Sequence, residues 1–388
     1  MTNIKTLNSI SSVVREVMGP TYDIRDDADR PEGILVRSAK CHDMVFNPEL
    51  LAIARAGAGV NNIPLDRCTQ SGIVVFNTPG ANANAVKELV FAAMMMSSRN
   101  LLEAVEWCKT LKGQGAEVPA LVEKSKSRFV GSEVRGKKLG VIGLGAIGVL
   151  VANEGAAIGL EVSGFDPFIS VEHAWKLSRA VRRADSLEDL VSDCDYISLH
   201  VPLSKSTKGY FSAKLCEKVK KGATLMNFSR GELVDIDAVL ASLEVGQLRR
   251  YITDFPSDEV IGVPNVICIP HLGASTPESE ENCAAMAAEE LKDYIENGNI
   301  KHSVNLPDCE LPPAGRERIC IINANMPNMI GQFTAALSAH GANITNMLNK
   351  SRGDYAYTMI DLDETAGSNI SRELSAINGV IRLRVIER

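Results

Sequence analysis

Apolar positions along the chain fall into short runs separated by amphipathic stretches, the spacing of strands alternating with helices. In the N-terminal part, residues 4–7, 33–37, 52–56 and 73–76 read as strands, with helical pieces over 11–18 and 47–51. Such alternation predicts an α/β domain with a parallel sheet. Residues 84–100 predict a long apolar helix, continued over 101–112. The basic segment 123–128 reads as a linker or solvated arm. From Gly136 the alternation resumes, with strands over 160–165, 196–199, 223–227, 250–253 and 266–269 and helices between them. Residues 277–297 form a second long amphipathic helix, and prolines at 307, 312 and 313 mark a linker. The tail runs strand-helix-strand-strand-helix-strand over 319–385, a ferredoxin-like α+β order.

One stretch carries a ligand signature. An apolar run from Lys138 ends in Gly143-Leu144-Gly145-Ala146-Ile147-Gly148 and passes straight into an apolar helix. Gly143 permits a tight turn, Gly145 lets backbone approach a pyrophosphate, and Gly148 allows close helix–strand packing. The free amides of the helix start face the anion. The next strand closes on Asp166, whose carboxylate suits an adenosine ribose and repels an extra phosphate, so NAD is expected rather than NADP.

Ligands of parallel sheets sit beyond the C-terminal ends of the strands. In the N-terminal sheet those ends are 37–40, 57–62 and 77–80, which offer backbone amides, hydroxyls and a guanidinium for a small anion. Each loop taken singly is equally ordinary turn chemistry. In the central sheet Asp166, His200, Arg230, Asp254 and His271 all follow strand ends, so they gather on the glycine-loop edge. A histidine, a carboxylate and an arginine suit oxidation of a 2-hydroxy acid. The arginine grips the substrate carboxylate, the histidine takes the hydroxyl proton, and the carboxylate steadies the imidazolium. Arg230, Glu259 and His271 are the candidates, and Asp254 would accept from the nicotinamide carboxamide. The bland alternatives are a surface arginine, a solvated Glu259 and a histidine bonded to backbone.

Bulk properties narrow the class. The chain has 388 residues, enough for two or three domains, and 45% hydrophobic content. A net charge of −7 argues against a nucleic-acid partner. No apolar run reaches membrane-spanning length, so no membrane partner is expected. The N-terminus lacks a signal-peptide pattern. Nine cysteines without metal-ligand spacing point to reduced thiols, a cytoplasmic setting and no metal site.

The glycine motif, His200-Val201-Pro202-Leu203, the segment Asn227 to Asp235 and Pro270-His271-Leu272-Gly273-Ala274-Ser275-Thr276 stand in family order. On these motifs the chain resembles the D-isomer-specific 2-hydroxy acid dehydrogenases. The resemblance implies a Rossmann nucleotide-binding domain over 98–280 and a discontinuous, flavodoxin-like substrate domain over 1–97 and 281–306, hinged about a cleft. It implies catalysis by Arg230, Glu259 and His271. Cofactor contacts are implied at Gly143, Gly145, Ala146, Ile147, Gly148 and Asp166. Others fall on His200, Val201, Pro202 and Thr207, on Asn227, Phe228 and Ser229, and on Asp254, Gly273 and Ala274.

Within the family the substrate loops are similar to those of members that oxidise 3-phosphoglycerate at the start of serine biosynthesis. Arg37, Ser38, Ala58, Gly59, Val60 and Asn61 are the implied substrate residues. Lys126 and Arg128 resemble a basic arm that reaches a partner subunit, and a homodimer or homotetramer is expected. After a linker over 307–317, the tail 318–388 resembles an ACT domain, a regulatory module. Asn323, Asn325 and Asn343 would bind a serine effector there. Asn328 stands where the usual loop has glycine, and asparagine tolerates the positive φ of that turn. The rival readings are a glyoxylate or hydroxypyruvate reductase, a D-lactate dehydrogenase, and an NADH-sensing binding protein.

Overall fold

The computed structural model describes residues 1–365 and 367–387. Two units divide the chain, one of residues 1–81 with 277–388 and the other of residues 82–276. The expected boundaries at 97/98 and 280/281 move to 81/82 and 276/277. The reason is packing. The helix Ala83–Ser98 lies on the helix Ala146–Ala157 of the central sheet, and its Val86, Val90, Ala93 and Met94 belong to that sheet's core.

In the first unit, β1 (Thr2–Leu7), β2 (Tyr22–Arg25), β3 (Gly33–Val36), β4 (Ala52–Arg55) and β5 (Val74–Asn77) form a parallel sheet in the order β2-β1-β3-β4-β5. That is the flavodoxin-like order. The edge strand β2 was not foreseen, because its Tyr-Asp-Ile-Arg alternation is too short to register. The helix expected over 47–51 is a turn, and the short helix instead runs Leu65–Gln70. The long helix Pro277–Asn297 buries Cys283, Ala284, Ala287, Ala288 and Leu291 against the sheet. Small side chains on that stripe let the helix approach closely.

The second unit holds β6 (Lys138–Ile142), β7 (Glu161–Phe165), β8 (Arg182–Arg183), β9 (Tyr196–Leu199), β10 (Ala223–Asn227), β11 (Leu248–Thr253) and β12 (Val266–Cys268). They form a parallel sheet in the order β12-β11-β10-β9-β6-β7-β8. The order reverses between β6 and β9, the switch point where doubly wound sheets open a ligand crevice. The segment read as a linker before this sheet is helical instead, as Val118–Ser125 followed by a 3-10 turn over Lys126–Phe129.

The tail adds β13 (Glu317–Ala324), β14 (Ile344–Arg352), β15 (Tyr355–Leu362) and β16 (Val380–Glu387), antiparallel in the order β14-β15-β13-β16. This is the ferredoxin-like arrangement. One face carries the helices Met329–Ala339 and Ser368–Ser375. The other joins the core of the first sheet, where Cys320, Ile322, Tyr357 and Met359 pack with Leu291, Tyr294 and Leu306. Residues 307–317 are therefore not a free linker. Leu306 and Cys309 are fully buried, and Ile300 and Cys309 exchange two backbone hydrogen bonds.

A buried ion pair fastens this junction. Arg318 and Asp361 are both fully buried and meet through Nε–Oδ1 at 2.6 Å and Nη2–Oδ2 at 2.7 Å. Arg318 also donates to the carbonyls of Asn297 at 2.8 Å and Pro312 at 3.1 Å, so its charge is matched on every side. Asp361→Asn leaves a buried guanidinium short of its counter-ion. The expected loss is about 3–5 kcal/mol of unfolding free energy, read from urea denaturation. A loss below about 1 kcal/mol would mean that the pair does not hold the junction.

Candidate functional site

The glycine loop follows β6 at the switch point. Gly143 has φ +90°, and a Cβ there would lie 2.7 Å from the carbonyl carbon and oxygen of His200. No larger residue fits without parting β6 from β9. Around Gly145 the position of a Cβ meets no atom within 4 Å, and Gly145 is the N-cap of the helix Ala146–Ala157 without a side-chain cap. The first-turn amides of Ala146, Ile147 and Gly148 thus receive no side-chain cap, as an anion cradle requires. Asp166 ends β7. Its carboxylate accepts from the Leu144 amide at 2.8 Å and the Phe168 amide at 2.8 Å. It therefore braces the loop and retains further lone pairs for a ribose.

His200 lies under the loop. Its amide donates to the Ile142 carbonyl at 2.7 Å and its Nε2 meets the fully buried Ser198 Oγ at 2.8 Å. Nδ1 is shielded from solvent and unpaired. Burial pushes the imidazole down to about 3, so the ring is neutral. Beyond it, Thr207 donates to the Pro202 carbonyl at 2.6 Å and accepts from the Ser204 amide at 2.7 Å, closing the turn that Val201 enters.

The ends of β10, β11 and β12 supply the polar groups. Asn227 is fully buried. Its Nδ2 donates to the Arg230 carbonyl at 2.8 Å and its Oδ1 accepts from the Ser229 amide at 3.1 Å. This ties the loop that carries Arg230, while Ser229 Oγ donates to the Leu199 carbonyl at 2.8 Å and Phe228 is buried beneath. The Arg230 side chain is exposed and bonds its own neighbour's carbonyl, Nη1 to Ser229 O at 2.6 Å. Asp254 is buried, with Oδ1 lacking a partner. Burial raises its carboxyl above the usual aspartate range, against His271, the Gly273 amide and Arg230. A buried acceptor without a donor fits a carboxamide that supplies one.

His271 adopts a left-handed backbone with φ +49°, and its amide donates to both the Asp254 carbonyl at 3.0 Å and the Ile269 carbonyl at 2.9 Å. The exposed ring lies 4.8 Å from Phe255, centroid to centroid. Glu259 is not brought to it. Its exposed carboxylate accepts from Ser257 Oγ at 2.6 Å. Gly273 is buried between Asp254 and Val86, and Ala274 follows half-buried.

In the first unit, the expected substrate residues line the C-terminal ends of β3, β4 and β5. Asn8 Oδ1 accepts from the amides of Ser38 at 3.2 Å and Ala39 at 2.6 Å. Asn77 Nδ2 donates to the Ala58 carbonyl at 2.5 Å, and Thr78 Oγ1 accepts from the Gly57 amide at 2.8 Å. Gly59 and Asn61 belong to the same loop, and the Val60 carbonyl accepts from the Ile63 amide at 3.0 Å. Arg37 pairs with Glu280 at 2.7 Å. Sequence reasoning missed Arg55, whose Nε donates to the Arg37 carbonyl at 3.1 Å; its place at the end of β4 was the available signal.

The remaining candidates are engaged elsewhere. Lys126 pairs with Glu123, and the Arg128 guanidinium lies 5.6 Å from the Phe129 ring centre. Asn323 Nδ2 donates to the Ala324 carbonyl at 2.7 Å, Asn325 Nδ2 to the Gly353 carbonyl at 3.1 Å and Asn343 Nδ2 to Asp363 at 2.8 Å. Asn328 takes the left-handed turn at φ +66°, as its chemistry permits.

The half-buried, neutral His200, its Nδ1 shielded from solvent, sets a pH dependence. Unfolding lets it bind a proton near its ordinary value of about 6.5, so stability falls as pH drops from about 6.5 towards 3. His200→Gln should flatten that acid limb, measured as urea midpoint against pH. An unchanged limb would show that the ring titrates freely in the fold.

Residues 91–273 match the family described as D-isomer specific 2-hydroxyacid dehydrogenase, NAD binding domain. The D-3-phosphoglycerate dehydrogenase of Haemophilus influenzae is 34% identical over 351 residues, which cover 87% of this chain and 82% of that protein. The protein of the same name from Escherichia coli is 32% identical, with 91% and 86% covered. That from Bacillus subtilis is 34% identical over 76% of this chain, and the chain spans 56% of its length. Among solved structures, an NAD+-bound 3-phosphoglycerate dehydrogenase of Entamoeba histolytica superposes with a TM-score of 0.59 at 27% identity, covering 78% of this chain and 98% of that one. With a third of its residues shared over most of the length of such relatives, the chain belongs to the D-isomer-specific 2-hydroxyacid dehydrogenases, NAD-dependent oxidoreductases.

Proposed function

We propose that the chain catalyses NAD-dependent oxidation of 3-phospho-D-glycerate to 3-phosphohydroxypyruvate, the first step of L-serine biosynthesis. The observation that carries it is the convergence of Arg230, Asp254 and His271 on the strand ends of one parallel sheet beside an uncapped glycine loop. The names of the relatives supply the substrate. NAD, when bound, supplies the acceptor for the hydride that leaves the hydroxyl-bearing carbon. The amides of Ala146 to Gly148 would hold its pyrophosphate, Asp166 its ribose and Asp254 its carboxamide. His271 takes the hydroxyl proton at its imidazole, and Arg230 grips the substrate carboxylate bidentately. Glu259 acts by leaving Ser257 for the imidazolium as charge develops there. Arg37, Ser38 and the 58–61 loop take the phosphate. A reducing cytoplasm suits nine free cysteines, seven of them buried.

The test is NADH formation at alkaline pH with 3-phosphoglycerate beside D-glycerate and D-lactate, with and without serine. Preferred turnover of 3-phosphoglycerate is expected, and inhibition by serine would make the tail an effector module. Preference for either other acid would overturn the substrate, and silence with intact NADH binding would favour a binding protein. His271→Ala should lose about 10²–10⁴ in kcat while NAD still binds. Arg230→Ala should lose turnover and substrate binding together. Near-normal turnover by His271→Ala would sink the mechanism.

We also propose a homodimer built on residues 101–130. The helices Leu101–Lys109 and Val118–Ser125 bury no residue, and Leu101, Leu102, Val105 and Val130 are exposed. Such an apolar face needs a partner. Val105→Glu should move the protein from dimer to monomer mass in sedimentation. A wild-type chain that sediments as a monomer would overturn the assembly.

A further inference from the structure

The chemistry proposed above uses Arg37 but gives no role to its partner Glu280. Arg37 follows β3, and its Nη2 lies 2.7 Å from Glu280 Oε1. Both side chains are partly exposed, at 38% and 44%, so an anion in solution can reach the guanidinium. The loop around Arg37 does not need Glu280 to keep its shape. Its backbone is held by Asn8 at Ser38 and Ala39 and by Arg55 at the Arg37 carbonyl. Asn62 Nδ2 adds a bond to the Ala39 carbonyl at 2.8 Å. Glu280 in turn sits in the first turn of the helix Pro277–Asn297, where a carboxylate is favoured without any cation.

We infer that Glu280 is an affinity-setting residue for the anionic end of the substrate: an internal anion that occupies Arg37 when no ligand is bound and must be displaced for a phosphate to bind. The inference rests on the proposed phosphate role of Arg37. A phosphate outcompetes the carboxylate because it brings more charge and three acceptor oxygens to a fork of five donors, whereas Glu280 meets one of them through one oxygen. Displacing Glu280 subtracts from the binding of substrate and product alike. That is uniform binding, which sets KM and product departure rather than the chemical barrier. A substrate without the phosphate has nothing to exchange with Glu280 and is indifferent to it.

Glu280→Gln keeps the shape and removes the charge. KM for 3-phosphoglycerate should fall about two- to fivefold, the range set by a half-exposed ion pair. The inhibition constant of inorganic phosphate against 3-phosphoglycerate should fall by the same factor. KM for D-glycerate should stay within about 1.5-fold, by the same charge argument. In an Arg37→Ala background the Glu280→Gln effect should vanish, and Glu280→Asp, which keeps the charge at a longer distance, should shift KM less than Glu280→Gln. An unchanged or raised KM in Glu280→Gln, with Arg37→Ala still raising it, would overturn the inference and leave the phosphate site standing. If Arg37→Ala itself left KM for 3-phosphoglycerate unchanged, the phosphate reading of this edge would fall with it.

Discussion

A parallel sheet forces the C-terminal ends of all its strands to one side, and that constraint organises this chain. In the central sheet it brings residues as distant in sequence as Gly143, His200, Arg230, Asp254 and His271 to a common edge. The reversal of strand order between β6 and β9 then opens the crevice. Gly143 is where this depends on a single atom, because a Cβ would meet the His200 backbone. Asp166 and the neutral His200 secure the loop from either side. Both use polar groups bonded to backbone or to Ser198 rather than exposed charge.

The strand ends were legible because they are punctuated. β9 and β10 run over the residues expected, since apolar runs stop at Asp, His or Asn where backbone must leave the sheet. The helix Pro277–Asn297 was equally plain from its amphipathic pattern. The failures have local causes. Residues 47–51 carry helix-forming side chains but are pinned as a turn between β3 and β4, with the Leu51 amide on the Glu32 carbonyl. The Val118–Ser125 helix was hidden by its charge run, which looks like solvated linker. Glu259 shows a limit of another kind: a residue's type and loop do not reveal its resting partner, here the Ser257 hydroxyl two residues away. The buried Asp254, by contrast, was legible, because it closes the apolar run of β11.

The tail shows what composition cannot see. Proline and glycine at 306–315 looked like a flexible link, yet the cationic side chains that follow bind the backbone of the first unit. Arg382 donates to the carbonyls of Leu50 and Pro48, and Arg384 to those of Tyr294 at 3.1 Å and Ile295 at 2.9 Å. Arg384 also lies 4.7 Å over the Tyr294 ring. In a sequence these arginines read as an exposed strand face, since a guanidinium that pairs with carbonyls leaves no complementary charge to find. Arg384 is costly to withdraw, because the carbonyls at the C-terminus of the helix Pro277–Asn297 would be left without donors.

One helix runs from this junction to the end of β3 that carries Arg37. Pro277–Asn297 has Glu280 in its first turn and Tyr294 in its last, about 21 Å apart at 1.5 Å per residue. The tail grips its C-terminal end through Arg384 and, by Arg318, through the Asn297 carbonyl. Its middle is packed on β3, β4 and β5 by residues too small to allow sliding without opening voids. The helix is thus held at its C-terminal end by the tail and along its middle by the first sheet. The tail therefore bears on the helix at the end opposite Glu280, through its backbone carbonyls.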